Sequence, residues 1–385
     1  MSFFLSAIAF AGLSYLLTRV LIRFSHRMES LEKNEITQVR WASQTKPLVG
    51  GISLYLVMLL AVIMYVLVDG ISSGDTEYPS ILPLLIAATL GFLVGLADDA
   101  YTTKPMAKLA GQILCGVILC VFGVYIQLFD NMMLNYTLTV IWVVGMMNSV
   151  NMIDNMDGVT GGMAVGVFVT SILVMFTTGT LFSIEGFVVV SLLGATIGFL
   201  FLNWKPAKTY IGDTGTMFLG VLYAYYGIEL FWNSTTPGGE YVFTRQVLLP
   251  ILVFLMPLLD TTFVTIYRLS IGQSPMVGGN QHTTHHLYYL GMDERMVAIV
   301  TFTVTLLSGL MALSIILLTD SWTHLHTALY GGYVLAICGL FILVYRRGGH
   351  NLRIREAQKA ALAAEARSKN RDAVRELAHA HISEN

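Results

Sequence analysis

Apolar stretches of about 20 residues recur along the chain from its first residues to position 345, with few charges inside them. A segment that long and apolar can satisfy its backbone within a bilayer only as a helix. The pattern therefore predicts an all-α, polytopic membrane protein. About eleven spans can be counted, near residues 2–22, 48–68, 80–97, 109–128, 136–153, 158–178, 185–203, 214–232, 247–266, 297–319 and 326–345. Charged residues make up 12% of the chain, against about 25% in soluble domains. The connections are short until 267–296. The expected organisation is a transmembrane domain, 1–345, followed by a cytosolic helical tail, 346–385, rich in Ala, Glu, Lys and Arg.

The distribution of Lys and Arg sets an orientation. With eleven spans and the N-terminus outside, 21 of the 22 basic residues fall on the inner side, and only Arg245 falls outside. The positive-inside rule then predicts an N-out, C-in chain. The N-terminus lacks a basic n-region and a small-residue cleavage site, so residues 2–24 read as a retained first span. Cys115, Cys120 and Cys338 lie in apolar runs without metal-ligand or redox spacing and read as packing residues. A net charge of −2 gives no bulk attraction to nucleic acid. The absence of an evident internal repeat, with polar residues clustered at one end of the spans, argues against a transporter.

That clustering carries the chemistry. Asn148-Ser-Val-Asn151-Met-Ile-Asp154-Asn155-Met-Asp157-Gly158 lies between two apolar runs. Four of its polar residues recur every third position, which gives a slowly drifting face of amide and carboxylate oxygens on a helix. Such oxygens suit a hard cation such as Mg²⁺, which usually brings phosphates with it. Asp98-Asp99 ends the third span, and two successive acids need cationic neighbours, which Lys104 and Lys108 could supply. Trp204-Lys205-Pro206-Ala207-Lys208 leads to Gly212-Asp213-Thr214-Gly215-Thr216, where helix-terminal N–H groups would favour a phosphate. Gln281-His282-Thr283-Thr284-His285-His286 offers imidazoles for phosphate or hydroxyl binding; a zinc site would need a third ligand that is not obvious. Lys46-Pro47-Leu48-Val49-Gly50-Gly51 opens the second span. Asp260 lies inside the ninth, either functional or paired structurally, with Arg268 nearby.

These motifs, in this order and spacing over residues 40–295, resemble the polyprenyl-phosphate N-acetylhexosamine-1-phosphate transferase superfamily, glycosyltransferase family 4. The resemblance rests on Asp98-Asp99, Asn148-x-x-Asn151-x-x-Asp154-x-x-Asp157-Gly158, Pro206-Ala207-Lys208 with Gly212-Asp213-Thr214-Gly215, and the histidine loop. Lys46 to Gly51 looks like the family's early Pro-x-x-Gly-Gly element. The loop His282-Thr283-Thr284-His285-His286 departs from the His-x-His-His of many GlcNAc-transferring members, and the triple histidine of the lipid I enzyme is missing.

The resemblance implies that a UDP-N-acetylhexosamine gives its sugar 1-phosphate to undecaprenyl phosphate, releasing UMP and starting a cell-envelope glycan such as O-antigen. It implies helices around a cytosolic-face cleft in the bacterial inner membrane, with membrane lipids as surroundings and Mg²⁺ as cofactor, Mn²⁺ as a substitute. By the same likeness Asn151 and Asp213 would hold the metal. Asp98 or Asp99 would orient or deprotonate the lipid phosphate, and Asp154 and Asp157 would face the nucleotide or support the metal. Lys46, Lys108, Asn148, Lys208, His282, His285 and His286 would bind the substrates. Alternative donors are UDP-N-acetylfucosamine, UDP-N-acetylquinovosamine and UDP-MurNAc-pentapeptide, and the competing class is a transporter or a non-catalytic scaffold. The sequence leaves the oligomeric state open, a homodimer included.

Overall fold

The helix Gly212–Tyr226 (α8) is buried along almost its whole length and continues as a π-helical turn, Gly227–Trp232. The other helices are arranged around it. In the computed structural model, which describes residues 3–29, 46–73, 81–274 and 278–383, they are α1 (Phe3–Glu29), α2 (Gly50–Ser73), α3 (Leu82–Tyr101), α4 (Pro105–Val121), α5 (Met132–Ile153), α6 (Val159–Thr177) and α7 (Ile184–Asn203). After α8 come α9 (Phe243–Val253), α10 (Leu255–Ser270), α11 (Thr283–Tyr289), α12 (Glu294–Leu318) and α13 (His324–Ser383). No strand occurs among the described residues. Helices α2, α3 and α5 pack directly on α8.

Small residues set how closely these helices approach. A Cβ at Gly194 of α7 would lie 2.2 Å from the Ala7 carbonyl oxygen, and one at Gly198 would lie 2.1 Å from that of Ala11. This Gly-x-x-x-Gly face lets α1 lie backbone to backbone on α7, the packing mode that works where lipid removes the hydrophobic drive. At the functional end, a Cβ on Gly51 would fall 2.2 Å from the Gly215 nitrogen, so α2 and α8 start in backbone contact. The outer surface is apolar, with Leu67, Ile141 and Phe201 among its exposed side chains. An apolar surface that extensive belongs against lipid.

Among the described residues, eight helices are long and apolar enough to cross a membrane, and nine if α9 and α10 form one broken span. Continuous hydropathy masks three departures from eleven regular spans. The helix expected over 109–128 stops at Val121, and Gly123 follows with a φ of 83°. Its 17 residues reach about 25 Å, less than the bilayer core. The second departure is α8, which has 15 residues before its π-helical turn. The third is the run expected over 247–266, which bends by 86° between α9 and α10. Pro250 inside α9 and Pro257 in the first turn of α10 remove hydrogen-bond donors on either side of that break. The last helix continues from its apolar part into the polar tail without interruption, through position 345.

Candidate active site

Lys108, in the first turn of α4, links two carboxylates delivered by other helices. Its Nζ lies 2.9 Å from Asp98 Oδ2 at the end of α3 and 2.5 Å from Asp213 Oδ2 at the start of α8. The amide oxygen of Asn151, in the last turn of α5, is 3.5 Å from the same nitrogen. Asn151 Nδ2 donates to Asp213 Oδ1 at 3.0 Å and to Thr216 Oγ1 at 2.9 Å. Asp98 Oδ1 accepts from the Thr103 N–H and hydroxyl at 2.8 and 2.5 Å. Four helix ends thus place two acids, an amide and an ammonium within one hydrogen-bonded cluster.

Asp99 does a different job from the one expected. Its Oδ1 accepts the Asp213 N–H at 3.0 Å, and its Oδ2 accepts the Thr214 N–H at 2.9 Å and hydroxyl at 2.7 Å. It therefore caps α8, satisfying N–H groups that the helix itself leaves open. The helix terminus that the sequence offers to a phosphate is filled by this carboxylate, so Asp98 alone of the pair faces the cluster. Gly212 makes this fit: its φ is 73°, and a Cβ there would lie 2.6 Å from Asp99 Oδ2.

Asp157 also differs from its expected role. Only 4% exposed, it accepts the Ala207 N–H at 3.0 Å and has Lys205 at 3.6 Å and Lys46 at 3.8 Å. Lys205 in turn meets Glu294 at 2.6 Å. Burial disfavours the charged form of Lys205, but Glu294 and Asp157 outweigh it and hold its pKa above the usual lysine value. Asn203 spans the same corner, accepting from the Gly158 N–H at 3.1 Å and donating to the Thr209 carbonyl at 2.9 Å. The Pro47 carbonyl takes the Tyr210 N–H at 3.0 Å, while the Gly50 and Gly51 N–H groups reach the Tyr210 and Ile211 carbonyls. Asp157 and the Lys46–Gly51 segment are thus struts that shape the 204–211 loop, and Lys46 sits over the Tyr210 ring, 5.1 Å from its centroid.

Two further expected residues have other surroundings. Asn148 is paired with Gln112 through hydrogen bonds of 2.9 and 3.1 Å and donates to the Val144 carbonyl, so its amide is engaged within the bundle. Lys208 is exposed, whereas Lys205, three residues earlier, points inward. Asp154 is half-buried just past the last turn of α5.

The histidine loop forms α11, and its start is organised by Asp260, which is fully buried on α10. Asp260 Oδ2 lies 2.8 Å from His282 Nδ1, and Oδ1 accepts the Thr283 N–H and hydroxyl at 2.6 and 2.7 Å. The partner of Asp260 is therefore His282 rather than Arg268, which donates to Gln281. Thr284 donates to Asn155 Oδ1 at 2.6 Å, tying α11 to the polar end of α5. Burial lowers the pKa of His285 to about 3 and of His286 to about 4, so both rings are neutral near pH 7. The Asn151–Asp157 segment joins the Lys108 cluster, the loop struts and the histidine helix within two turns of chain.

Residues 81–231 match the sequence profile of glycosyl transferase family 4. The probable undecaprenyl-phosphate N-acetylglucosaminyl 1-phosphate transferase of Bacillus subtilis is 27% identical over 66% of this chain and 71% of its own length. Over these residues the chain resembles glycosyl transferase family 4. The decaprenyl-phosphate N-acetylglucosaminephosphotransferase of Mycolicibacterium smegmatis is 27% identical over 66% of this chain and 67% of its own length. The phospho-N-acetylmuramoyl-pentapeptide-transferase of Staphylococcus saprophyticus is 26% identical over 80% of this chain and 98% of its own. The matched family region begins just before α3 and ends within the π-helical turn, so it contains Asp98, Lys108, Asn151 and Asp213.

Among the described residues, no three His, Cys, Asp or Glu side chains are arranged to hold a metal ion. The donor set of the Lys108 cluster is nonetheless that of a hard cation: carboxylate and amide oxygens already converging on a positive charge. Mg²⁺ is commonly held by one or two carboxylates, with substrate phosphates and water completing its octahedron. The residues present fit that mode and do not form a protein-only cage.

Proposed function

We propose that this chain transfers a sugar 1-phosphate, GlcNAc-1-phosphate first among the candidates, from a UDP-N-acetylhexosamine to undecaprenyl phosphate. The observation that carries the reading is the convergence of Asp98, Lys108, Asn151 and Asp213 at one end of an apolar helical bundle. Two of the named relatives transfer GlcNAc phosphate to undecaprenyl or decaprenyl phosphate by name, and the third is named for transfer of phospho-N-acetylmuramoyl-pentapeptide, which supports this substrate pair. The acceptor is a phosphate anchored in lipid and the donor is a soluble dianion, so only a site at a membrane surface serves both.

In this reaction an oxygen of the lipid phosphate bonds to the sugar-bearing phosphorus of the donor. The bond from that phosphorus to the bridging oxygen breaks, and UMP leaves with that oxygen. The second pKa of a phosphate monoester is near 6, so no strong base is needed. Positioning and charge neutralisation supply most of the catalysis. Lys108 is placed to meet a phosphate, with Asp98 fixing its ammonium. Asp213 and Asn151 would hold Mg²⁺, which when bound would neutralise the diphosphate oxygens. His282, oriented by Asp260, would present its other ring nitrogen to the donor.

The finer topology belongs to the same proposal: eleven membrane-embedded elements counted from the sequence, N-out and C-in, in the cytoplasmic membrane with the active site facing the cytoplasm. Its support is the one-sided distribution of Lys and Arg. The test incubates membranes containing the chain with radiolabelled UDP-sugars and undecaprenyl phosphate. Labelled lipid and UMP are expected, and both should vanish with Asp213→Asn inserted at the same level. No labelled lipid from any donor in a panel read by mass spectrometry would overturn the reading.

A further inference from the structure

A cavity with a mixed lining borders α11, and none of Asp98, Lys108, Asn151 and Asp213 lines it. It has a volume of about 1640 Å³ and is enclosed by α10, α11 and the part of α13 that carries the last apolar turns into the tail. Its lining is divided. Phe263 and Ile266 of α10 and Ile342 of α13 make an apolar wall, and Arg346, Arg353 and Arg355 supply three guanidinium groups. Positions 342, 346, 349 and 353 share one face of α13, so wall and charges are stacked along the helix. From Ile342 to Arg353 the helix rises about 16 Å, more than the depth of one headgroup layer, about 5–8 Å, so it runs from the hydrocarbon through that layer.

Among the described residues the lining sets three arginines against one acid, Glu356. None of the three arginines forms an ion pair with a described residue. The apolar wall is itself open: Ile266 is 60% and Ile342 47% exposed. Guanidinium groups match phosphate through paired N–H donors. Basic pockets between membrane helices near the headgroups suit anionic lipids, and the arginine stems can lie along the chains below.

We propose that this cavity is a binding site for an anionic phospholipid, its phosphate held by Arg346 and Arg353 and its acyl chains laid along Phe263, Ile266 and Ile342. Of the residues expected to bind substrates only His286 lines this cavity, and the proposal does not rest on the transfer reaction. The neighbouring wall is α11, where His286 stacks on Tyr345 with ring centroids 3.9 Å apart, so an occupied cavity braces the helix that carries the histidines.

The test uses the purified full chain, delipidated in detergent, with phosphatidylglycerol or phosphatidylcholine added and bound lipid counted by native mass spectrometry. The wild type should retain at least one more phosphatidylglycerol than Arg346→Gln/Arg353→Gln, with phosphatidylcholine retention equal in the two. Equal phosphatidylglycerol retention by a double variant that unfolds at the wild-type temperature overturns the proposal. A second measurement needs no variant: phosphatidylglycerol should slow amide exchange over 346–358 in the wild type, and phosphatidylcholine should not. Unchanged exchange overturns the proposal. Equal protection by glycerophosphate would reveal a soluble-anion site, and displacement of the lipid by UMP would reveal a nucleotide site; either result also overturns it.

Discussion

Asp99 caps the helix that carries Asp213: one Asp99 oxygen accepts the Asp213 N–H at 3.0 Å, and the other takes both donors of Thr214. The two acids are thereby given unequal duties. Asp213 faces the Lys108 cluster, while Asp99 fixes the backbone from which it projects. Asp99→Ala should cost about 1–2 kcal/mol of stability, the range for losing a helix cap. Asp99→Asn keeps one carbonyl acceptor and should lower sugar-phosphate transfer by about tenfold, a misplacement penalty of about 1.4 kcal/mol. Asp213→Asn should abolish transfer. Thermal unfolding and labelled-lipid formation, measured on all three, check this; equal loss from Asp99→Asn and Asp213→Asn would refute the division.

Lys108 bridges Asp98 and Asp213, both within 2.9 Å of its nitrogen, and the two carboxyl groups also meet each other directly. Lys108→Met removes the cation and leaves two acids facing each other. Transfer should fall by about 100-fold or more, as when one preorganised charge is removed from a transition-state site. Stability should fall as well. Adding Asp98→Asn should recover much of the stability, because the repulsion goes, yet leave transfer low. If the double variant regained activity, Lys108 would be a structural spacer only.

Much of this arrangement is legible in the sequence because polar residues stand out against apolar spans. Asp98, Lys108, Asn151 and Asp213 can be picked out by that contrast, and the helical elements largely follow from hydropathy. What hydropathy cannot supply is direction. Lys205 and Lys208 flank the same Pro206-Ala207 pair, yet only Lys205 turns in, toward Asp157 and toward Glu294, 89 residues away. Asn148 belongs to the same three-residue periodicity as Asn151, but its partner Gln112 lies on another helix. The bend after Val253 is invisible to an apolar average; Pro250 and Pro257 were its local signal. Asp260 was visible as an anomaly, but His282 could be recognised as its partner only once α10 and α11 were folded together.

The buried Asp260 carboxylate accepts from Thr283 twice and faces His282 at 2.8 Å. Asp260→Ala should destabilise the protein by about 3 kcal/mol or more, the scale for breaking a buried pair. Asp260→Asn retains an acceptor for Thr283 but weakens the hold on the imidazole. With His282 binding the donor, the KM for the UDP-sugar should rise by about tenfold while unfolding changes little. Steady-state kinetics on Asp260→Asn decide it; an unchanged KM would remove His282 from donor binding.

Acid should loosen α11 before the rest of the bundle. Burial holds His285 at about 3 and His286 at about 4, whereas both would titrate near 6.5 in an unfolded chain. For His285 the charge of His282 adds to burial, and Asp260 opposes it. Between those values the unfolded segment binds protons that the folded one refuses. Stability from these rings is therefore complete above about pH 6.5 and is lost as pH falls toward the folded values. One pH unit below about 6.5 withdraws about 1.4 kcal/mol per histidine, or about 3 kcal/mol for the pair. Amide exchange over 283–289, corrected for its intrinsic pH dependence and measured between about pH 7.5 and about pH 5.5, should show that loss. His285→Gln should remove about half of the slope, since a neutral amide cannot titrate there. Exchange in α11 that follows the intrinsic rate throughout would mean that these rings are accessible to protons in the folded protein.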